Sequence, residues 1–277
     1  IRRLSEKIRA LDVRCNLQVR VLSIRNDIDV LCHAMTAIQQ SNALKRMMTM
    51  ILRLSNFMNH GTYHAGAFGF RVSSLKKLSN VRSNNPREAK TLLHAIVKMS
   101  ANDTCLQELE SLLKISNATY IQTSSIAQRC KQIQQDLSSI ENEQAMCKDE
   151  CDDDSEEAVN AGRFVAASKD LLEQAKAELT HLFTLQKELD SAKEELAKFL
   201  CEDVSTFKLD ACIKDIYEFV KSYSRLVAEE KRQAAARARR AAVEEAKAKK
   251  RAAQQKKAGK KDSKVNNGGD QGRVSGL

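Results

Sequence analysis

Apolar residues recur at alternating intervals of three and four along most of this chain. Such spacing returns an apolar side chain to one face of an α-helix at every turn, and it is incompatible with the strict alternation of a half-buried strand. A single proline, 30% charged residues and only 4% aromatic residues also favour long helices over a β protein. The pattern predicts an all-α fold, an elongated helical bundle with an antiparallel coiled-coil arm.

The first apolar stripe lies within residues 1–40. Its members are Leu17, Val21, Ile24, Ile28, Leu31, Met35 and Ile38. Arg20, Arg25 and Asp27 fall outside the stripe, so we expect them to form a solvated face. A second helix, 42–58, is apolar on more than one side, which is typical of a helix at the centre of its domain. Its methionines favour core packing, with an adaptable docking surface as the alternative.

Two further stripes run through residues 126–140 and 161–199, separated by the acidic run 147–160. Two heptad-like helices joined by a short polar link favour an antiparallel pair. Thirty helical residues span about 45 Å, at about 1.5 Å per residue, so this pair is an arm rather than a globule. We place the coiled coil at about residues 115–199, and a last stripe, 209–227, completes the folded body.

Residues 231–277 carry 15 Lys/Arg and 4 Asp/Glu, a net charge of +11, whereas the rest of the chain carries 31 and 32. The sequence therefore predicts a near-neutral body followed by a basic tail, 229–277. We expect a solvent-exposed, partly frayed helix at 229–257, rich in helix-forming residues, and disorder from Gly259 to Leu277.

Several functional classes find little support in the residues. The scattered cysteines are typical of reduced thiols in a cytosolic protein. Cys147 and Cys151 lie beside aspartates but near no histidine, and His60 and His64 lie in a glycine-rich turn without a third ligand, so we expect neither metal nor cofactor. No apolar run approaches the roughly 20 residues of a membrane span. We find no catalytic constellation and expect no enzyme. Because Ile1 already lies in a helical pattern, we expect the chain to be part of a longer protein.

Residues 53–94 break the helical rhythm. Gly61, Gly66 and Gly69 lie close together there, and glycine permits positive φ or close backbone approach, so the cluster predicts a specific turn. Pro86 follows. Between them, a short helix is expected at 73–80 with Ser73 or Ser74 as its N-cap. A basic cluster surrounds that helix: Lys76, Lys77, Arg82 and Arg87.

Four blocks in this stretch resemble, in order and spacing, the signature of the formin homology-2 domain. The blocks are Ser55-Asn56-Phe57-Met58-Asn59, Gly66-Ala67-Phe68-Gly69-Phe70-Arg71-Val72, Ser74-Leu75-Lys76-Lys77-Leu78 and Thr91-Leu92-Leu93-His94. Ser55 replaces the first glycine of the family's signature. The resemblance covers residues 1 to about 228 and implies the C-terminal portion of that domain: a knob remnant, the coiled coil and a post completed by about 200–228.

The resemblance implies a homodimer when the full domain is present, in which the post receives the lasso of the partner subunit. The post residues that match are Asn56, Phe57, Asn59, Gly61, Gly66, Gly69 and Phe70. By the same resemblance, the lasso, the linker and the start of the knob, with its actin-contacting isoleucine, are expected before Ile1.

The resemblance also implies an actin-binding protein of the cytoplasm and cytoskeleton. The intact domain nucleates filaments and tracks the barbed end, and profilin is reached only indirectly through an upstream segment. Arg82 matches the family's basic actin-contacting residue, and Lys76 and Lys77 lie beside it. The alternative is a coiled-coil protein whose basic tail binds nucleic acid or another acidic polymer. Against nucleic acid stands the lack of tail aromatics and of a binding motif. A passive coiled-coil scaffold is the third reading.

Overall fold

The computed structural model describes residues 3–82, 89–149 and 156–265. It confirms the all-α class, because every regular element in that part of the chain is a helix, of the α or the 3₁₀ type. The α-helices and the two 3₁₀ helices (η) are α1 (Leu4–Gln40), α2 (Asn42–Met58), η1 (Val72–Ser79), α3 (Leu92–Met99), α4 (Thr104–Gln107), η2 (Glu108–Tyr120), α5 (Thr123–Asp149), α6 (Glu156–Phe199) and α7 (Leu209–Val265). None of the described helices is both long and apolar enough to cross a membrane.

The chain divides into two structural units, residues 1–224 and 225–277. The first unit contains a three-helix bundle, formed by α1, α5 and α6, each of which packs against the other two. Cross-helix contacts fix the direction of α5 and α6: Glu141 pairs with Lys176, whereas the later Gln144 bonds to the earlier Ser168. The contacts confirm the predicted antiparallel pair.

Helix α1 joins this pair as a third member, which the sequence analysis does not predict. It runs antiparallel to α5, since Arg20 pairs with Asp136 and Asp27 with Arg129. The predicted stripe of α1 is confirmed, because all seven of its residues are buried. The solvated face predicted for Arg20, Arg25 and Asp27 is wrong. All three form ion pairs between helices, among them Arg25 Nη2 to Glu178 Oε2 at 2.6 Å.

The first unit also contains a short-helix cluster, by which we mean α2, the loop after it, η1, α3, α4 and residues 209–224 of α7. Its buried apolar residues include Leu44 and Met47 of α2 and Ile213, Ile216 and Val220 of α7. Polar contacts tie α7 to its neighbours. Asp210 accepts hydrogen bonds from the backbone N–H and the hydroxyl of Thr123, and the hydroxyls of Tyr223 and Ser100 lie 2.8 Å apart.

The second unit contains the rest of α7. Side chains at 231–250 are exposed throughout, and bases outnumber acids there by eight to two. The helix continues to Val265, past Gly259, so the disorder predicted from Gly259 is wrong for residues 259–265. Residues 266–277 lie outside the described part of the chain.

Candidate protein-binding surfaces

The loop after α2 is shaped by two glycines in the left-handed region. Gly61 has φ of 79° and Gly66 has φ of 76°, values that residues with a Cβ adopt only under strain. The predicted specific turn is therefore confirmed at these two positions. Gly69 does not share that conformation, and nothing lies within 4 Å of where a Cβ would stand at any of the three glycines. Glycine is needed here for backbone conformation and not for close approach.

Asn56 fastens this loop to α2. Its Nδ2 donates to the carbonyl oxygen of Ala67 at 2.8 Å, and its Oδ1 accepts from the backbone N–H of Ala67 at 2.9 Å. One primary amide thus satisfies both polar groups of a loop residue, which fixes the loop's position. Asn59 acts through its backbone instead. Its N–H donates to the carbonyl of Ser55, and its own carbonyl accepts from Thr62.

The last turn of α2 and the fastened loop present aromatic side chains to solvent. Phe57 is 79% exposed, Tyr63 is 97% exposed, and Phe68 is fully exposed. Large aromatic residues are enriched in protein interfaces, where they anchor binding. The loop is therefore a candidate docking surface within the described part of the chain.

An open groove of about 620 Å³ lies beside the loop, between α2 and the end of α6. Its lining residues are Leu44, Lys45, Met48, Thr49, Leu52, Phe68, Gly69, Phe70, Arg71, Phe199, Leu200 and Cys201. Gly69 and Phe70 are expected from the resemblance, whereas the α2 and α6 residues are not. The sequence signal for the groove residues of α2 was that this helix is rich in methionine. Met47 is buried in the core, as predicted, whereas Met48 faces the groove.

The end of α6 closes this groove and holds the loop's second end. Cys201 lies in the left-handed region with φ of 55°, and its N–H donates to the carbonyl of Lys198. The next N–H, of Glu202, donates to the carbonyl of Ala197, which completes a Schellman motif. Glu202 Oε1 then accepts from the backbone N–H of Val72 at 3.0 Å. The later part of the loop is thus tied twice, at Ala67 by Asn56 and at Val72 by Glu202.

The predicted short helix after the loop is confirmed as the 3₁₀ helix η1. Val72, Leu75 and Leu78 are all buried, and a spacing of three places side chains on one edge of a helix with three residues per turn. The predicted N-cap is wrong. The cap position is Arg71, and it makes no side-chain capping bond, so neither Ser73 nor Ser74 has that role.

The three basic residues expected to contact actin differ in their surroundings. Lys76 Nζ lies 2.6 Å from Oδ1 of the buried Asp215 on α7, and this close pairing raises the pKa of Lys76. All three residues are exposed, so they differ in their ion-pair partners and not in their burial. Neither Lys77 nor Arg82 has an ion-pair partner among the residues that the structure describes.

The backbone at Arg82 is held in place. Arg82 forms an isolated antiparallel bridge with Thr91, and the N–H of Leu92 donates to the carbonyl of Val81 at 2.9 Å. The bridge closes the segment 83–88, in which Pro86 and Arg87 lie outside the described residues. The charged group of Arg82 therefore projects from a fixed base.

Across residues 3–82, 89–149 and 156–265, no three His, Cys, Asp or Glu side chains meet in a cluster that would hold a metal ion. His60 and His64 are exposed on the loop, and Cys151 lies outside the described residues. The other seven cysteines are free thiols. Burial raises the pKa of the Cys212 thiol to about 12.

Comparison with known proteins adds an independent result. The Formin Homology 2 Domain family model matches residues 1–224, the same range as the first structural unit. Formin-like protein 3 of Oryza sativa subsp. japonica is 28% identical over 234 residues, which cover 83% of this chain and 18% of that protein. Formin-like protein 17 of Arabidopsis thaliana is 25% identical over 225 residues, covering 80% of this chain and 44% of that protein. Protein diaphanous of Drosophila melanogaster is 25% identical over 226 residues, covering 80% and 20%. The chain spans less than half the length of these relatives.

Proposed function

This chain belongs to the Formin Homology 2 domain family, and on that premise we propose that it binds actin at the filament barbed end as part of an actin-assembling protein. The observation that supports this most is the state of Lys77 and Arg82. Both are exposed, and neither is neutralised by an acidic group in the described part of the chain. We expect binding rather than catalysis.

The charge and geometry of the surface formed by Lys77 and Arg82 suit an acidic protein partner. Actin is acidic at its exposed faces, and complementary charge accelerates encounter and fixes orientation. The guanidinium of Arg82 presents a planar fork that matches a carboxylate with two parallel hydrogen bonds. Since the bridge to Thr91 holds its backbone, less conformational entropy is lost when that contact forms.

For the intact domain we propose a homodimer that nucleates filaments and remains at the barbed end. The exposed aromatics of the loop and the adjoining groove fit the role of a post that receives an apolar segment of a partner subunit. A groove of about 620 Å³ is large enough for bulky apolar side chains. Profilin would be reached only indirectly, and the setting would be the cytoplasmic cytoskeleton.

Binding of the labelled 277-residue chain to short actin filaments tests the actin proposal. We expect binding to filaments with free barbed ends and little binding once those ends are capped. Arg82→Ala should weaken the affinity about tenfold, equal to about 1.4 kcal/mol. Arg14→Ala, which removes an exposed arginine from α1, is the matched control and should leave the affinity within about twofold. Equal affinities for the two variants would count against Arg82 as an actin contact.

A second candidate function rests on the second unit, where eight bases and two acids lie exposed on one helix at 231–250. Such a helix suits an acidic polymer, and phosphate neutralisation would make nucleic-acid binding steeply salt-dependent. Titration of a duplex of mixed sequence at several salt concentrations distinguishes this function. Binding that vanishes when 231–277 is deleted, but survives Arg82→Ala, would favour the polymer over actin.

A further inference from the structure

Lys76 and Lys77 are adjacent in sequence but face different surroundings. A 3₁₀ helix advances about 120° per residue, so neighbouring side chains lie on different sides of it. With Val72, Leu75 and Leu78 on the buried edge, Lys76 falls on one flank and Lys77 on the other. The structure agrees, because Lys76 reaches α7 whereas Lys77 reaches no acidic group in the described part.

The partner of Lys76 is an unusual acid. Asp215 is only 4% exposed and lies between the buried residues Cys212 and Ile216 of α7. A buried carboxylate is costly unless a cation compensates it, and Lys76 is the cation that pairs with Asp215. The ammonium of Lys76 is therefore already paired with an acid of the same chain, although the lysine side chain itself is 52% exposed.

Helix α7 is a firm base for this contact. Near its start Asp210 accepts two hydrogen bonds from Thr123, and two turns beyond Asp215 the Tyr223 hydroxyl meets Ser100 at a buried site. Besides its three buried apolar residues, η1 contributes one side-chain ion pair among the described residues, that of Lys76. The buried apolar residues do not by themselves fix the position of the Lys76 side of η1. The pair of Lys76 with Asp215 fixes that position.

We propose that Asp215 is a positioning residue for the proposed actin-binding surface, which consists of Lys77 and Arg82. Through Lys76 it holds η1 against α7, so that Lys77 and Arg82 face solvent at a fixed spacing. Lys76 then acts as a strut between η1 and α7 and makes no contact with actin. The choice of actin as ligand rests on the function proposed above, whereas the positioning of η1 does not.

Two variants separate a strut from a direct contact. Asp215→Asn breaks the pair, and we expect barbed-end affinity to fall about fivefold, since Lys77 and Arg82 lose their fixed spacing. Lys76→Met combined with Asp215→Leu replaces the pair by an apolar contact and leaves no buried carboxylate without a partner. If Lys76 is a strut, the double variant binds within about twofold of the unchanged chain. If Lys76 contacts actin, the double variant loses affinity, and the proposal is overturned.

Hydrogen exchange supplies a readout that needs no actin. Amide exchange in 72–81 should accelerate about tenfold in Asp215→Asn and return near its original rate in the double variant. Unchanged exchange in Asp215→Asn would overturn the positioning role even if affinity falls. Should the unchanged chain fail to bind barbed ends, the function proposed above fails alone, because the exchange rates still decide whether Asp215 positions η1.

Discussion

The three-helix bundle and the short-helix cluster differ in the apolar side chains that they expose: outside its buried stripe α1 exposes aliphatic residues such as Leu11 and Val19, whereas the most exposed apolar residues of the cluster are aromatic. In the bundle, α1 buries an uninterrupted stripe in which Ile24 and Leu31 are fully enclosed. In the cluster, the last turn of α2 and the loop after it leave Phe57, Tyr63 and Phe68 in solvent. The two regions belong to one structural unit, so the difference is one of local construction.

The difference follows from helix length. A long helix satisfies its own backbone and presents a continuous stripe, which its neighbours cover. The short 3₁₀ helix and the loop are too short to present a continuous stripe. Individual polar contacts hold them: Asn56 to Ala67, Glu202 to Val72, and Lys76 to Asp215. A region held by few ties leaves more of its side chains free for partners. The candidate binding surfaces therefore lie where the helical periodicity stops.

The largest expected effect removes a side chain from the bundle core. Ile24→Ala should lower the free energy of unfolding by about 3 kcal/mol, since it removes buried methylene groups and leaves a cavity. Phe68→Ala in the exposed loop should change it by less than about 0.5 kcal/mol. Urea unfolding of both variants measures the contrast. A comparable loss in Phe68→Ala would mean that the loop aromatics stabilise the isolated chain.

The buried thiol of the short-helix cluster sets a pH dependence. Burial raises the pKa of Cys212 from 9.0 to about 12, so the unfolded chain ionises this thiol at a pH where the folded chain does not. Its contribution to stability is complete below pH 9 and declines by about 1.4 kcal/mol per pH unit toward pH 12. Unfolding measured from pH 8 to pH 11 should show a shallower decline in Cys212→Ala. The exposed Cys15→Ala serves as control and should keep the original slope.

The tie between α2 and the loop is expected to have a local effect. Asn56→Ala removes two hydrogen bonds to Ala67, and local opening of residues 60–68 should become easier by about 1 to 2 kcal/mol. Asn59→Ala is the matched control, since Asn59 bonds through its backbone, and it should change little. Amide exchange across the loop measures both variants. Equal protection in the two would show that the side chain of Asn56 does not hold the loop.

The smallest effect concerns the end of α6. Cys201 has φ of 55°, a conformation that disfavours any residue with a Cβ, and it occupies the position that glycine usually takes in a Schellman motif. Cys201→Gly should raise the free energy of unfolding by about 0.5 kcal/mol, since relief of strain exceeds the added backbone entropy of the unfolded chain. A shift in the urea midpoint measures it, and a destabilised variant would contradict the strain.

The long helices were predictable from sequence because their spacing signal accumulates over many turns. That α1 joins the antiparallel pair was not predictable, because α1 pairs with residues more than a hundred positions away. Charged residues look alike in sequence whether they face water or a neighbouring helix, so Arg20, Arg25 and Asp27 were assigned to solvent. The spacing of three in Val72, Leu75 and Leu78 was present in the sequence, but the cap prediction assumed an α-helical start.

The candidate site was predictable only in part. Motif spacing located the loop, η1 and Arg82, since glycines and a basic cluster interrupt the helical pattern. It treated Lys76 and Lys77 as equivalent, because nothing local reveals that Asp215 approaches only one of them. The groove combines α2 with the end of α6, and a pairing so distant in sequence leaves no local signal.

Hydrogen exchange of the 277-residue chain with and without actin filaments tests most directly whether the short-helix cluster, and not the bundle, binds the partner. Filaments should be short, so that free barbed ends are abundant, and a sample with capped ends is the control. We expect free barbed ends to slow exchange at 72–82, with little change in α5 and α6. Protection confined to α5, to α6 or to the helix at 231–250 would contradict the assignment of the actin-binding surface to residues 72–82.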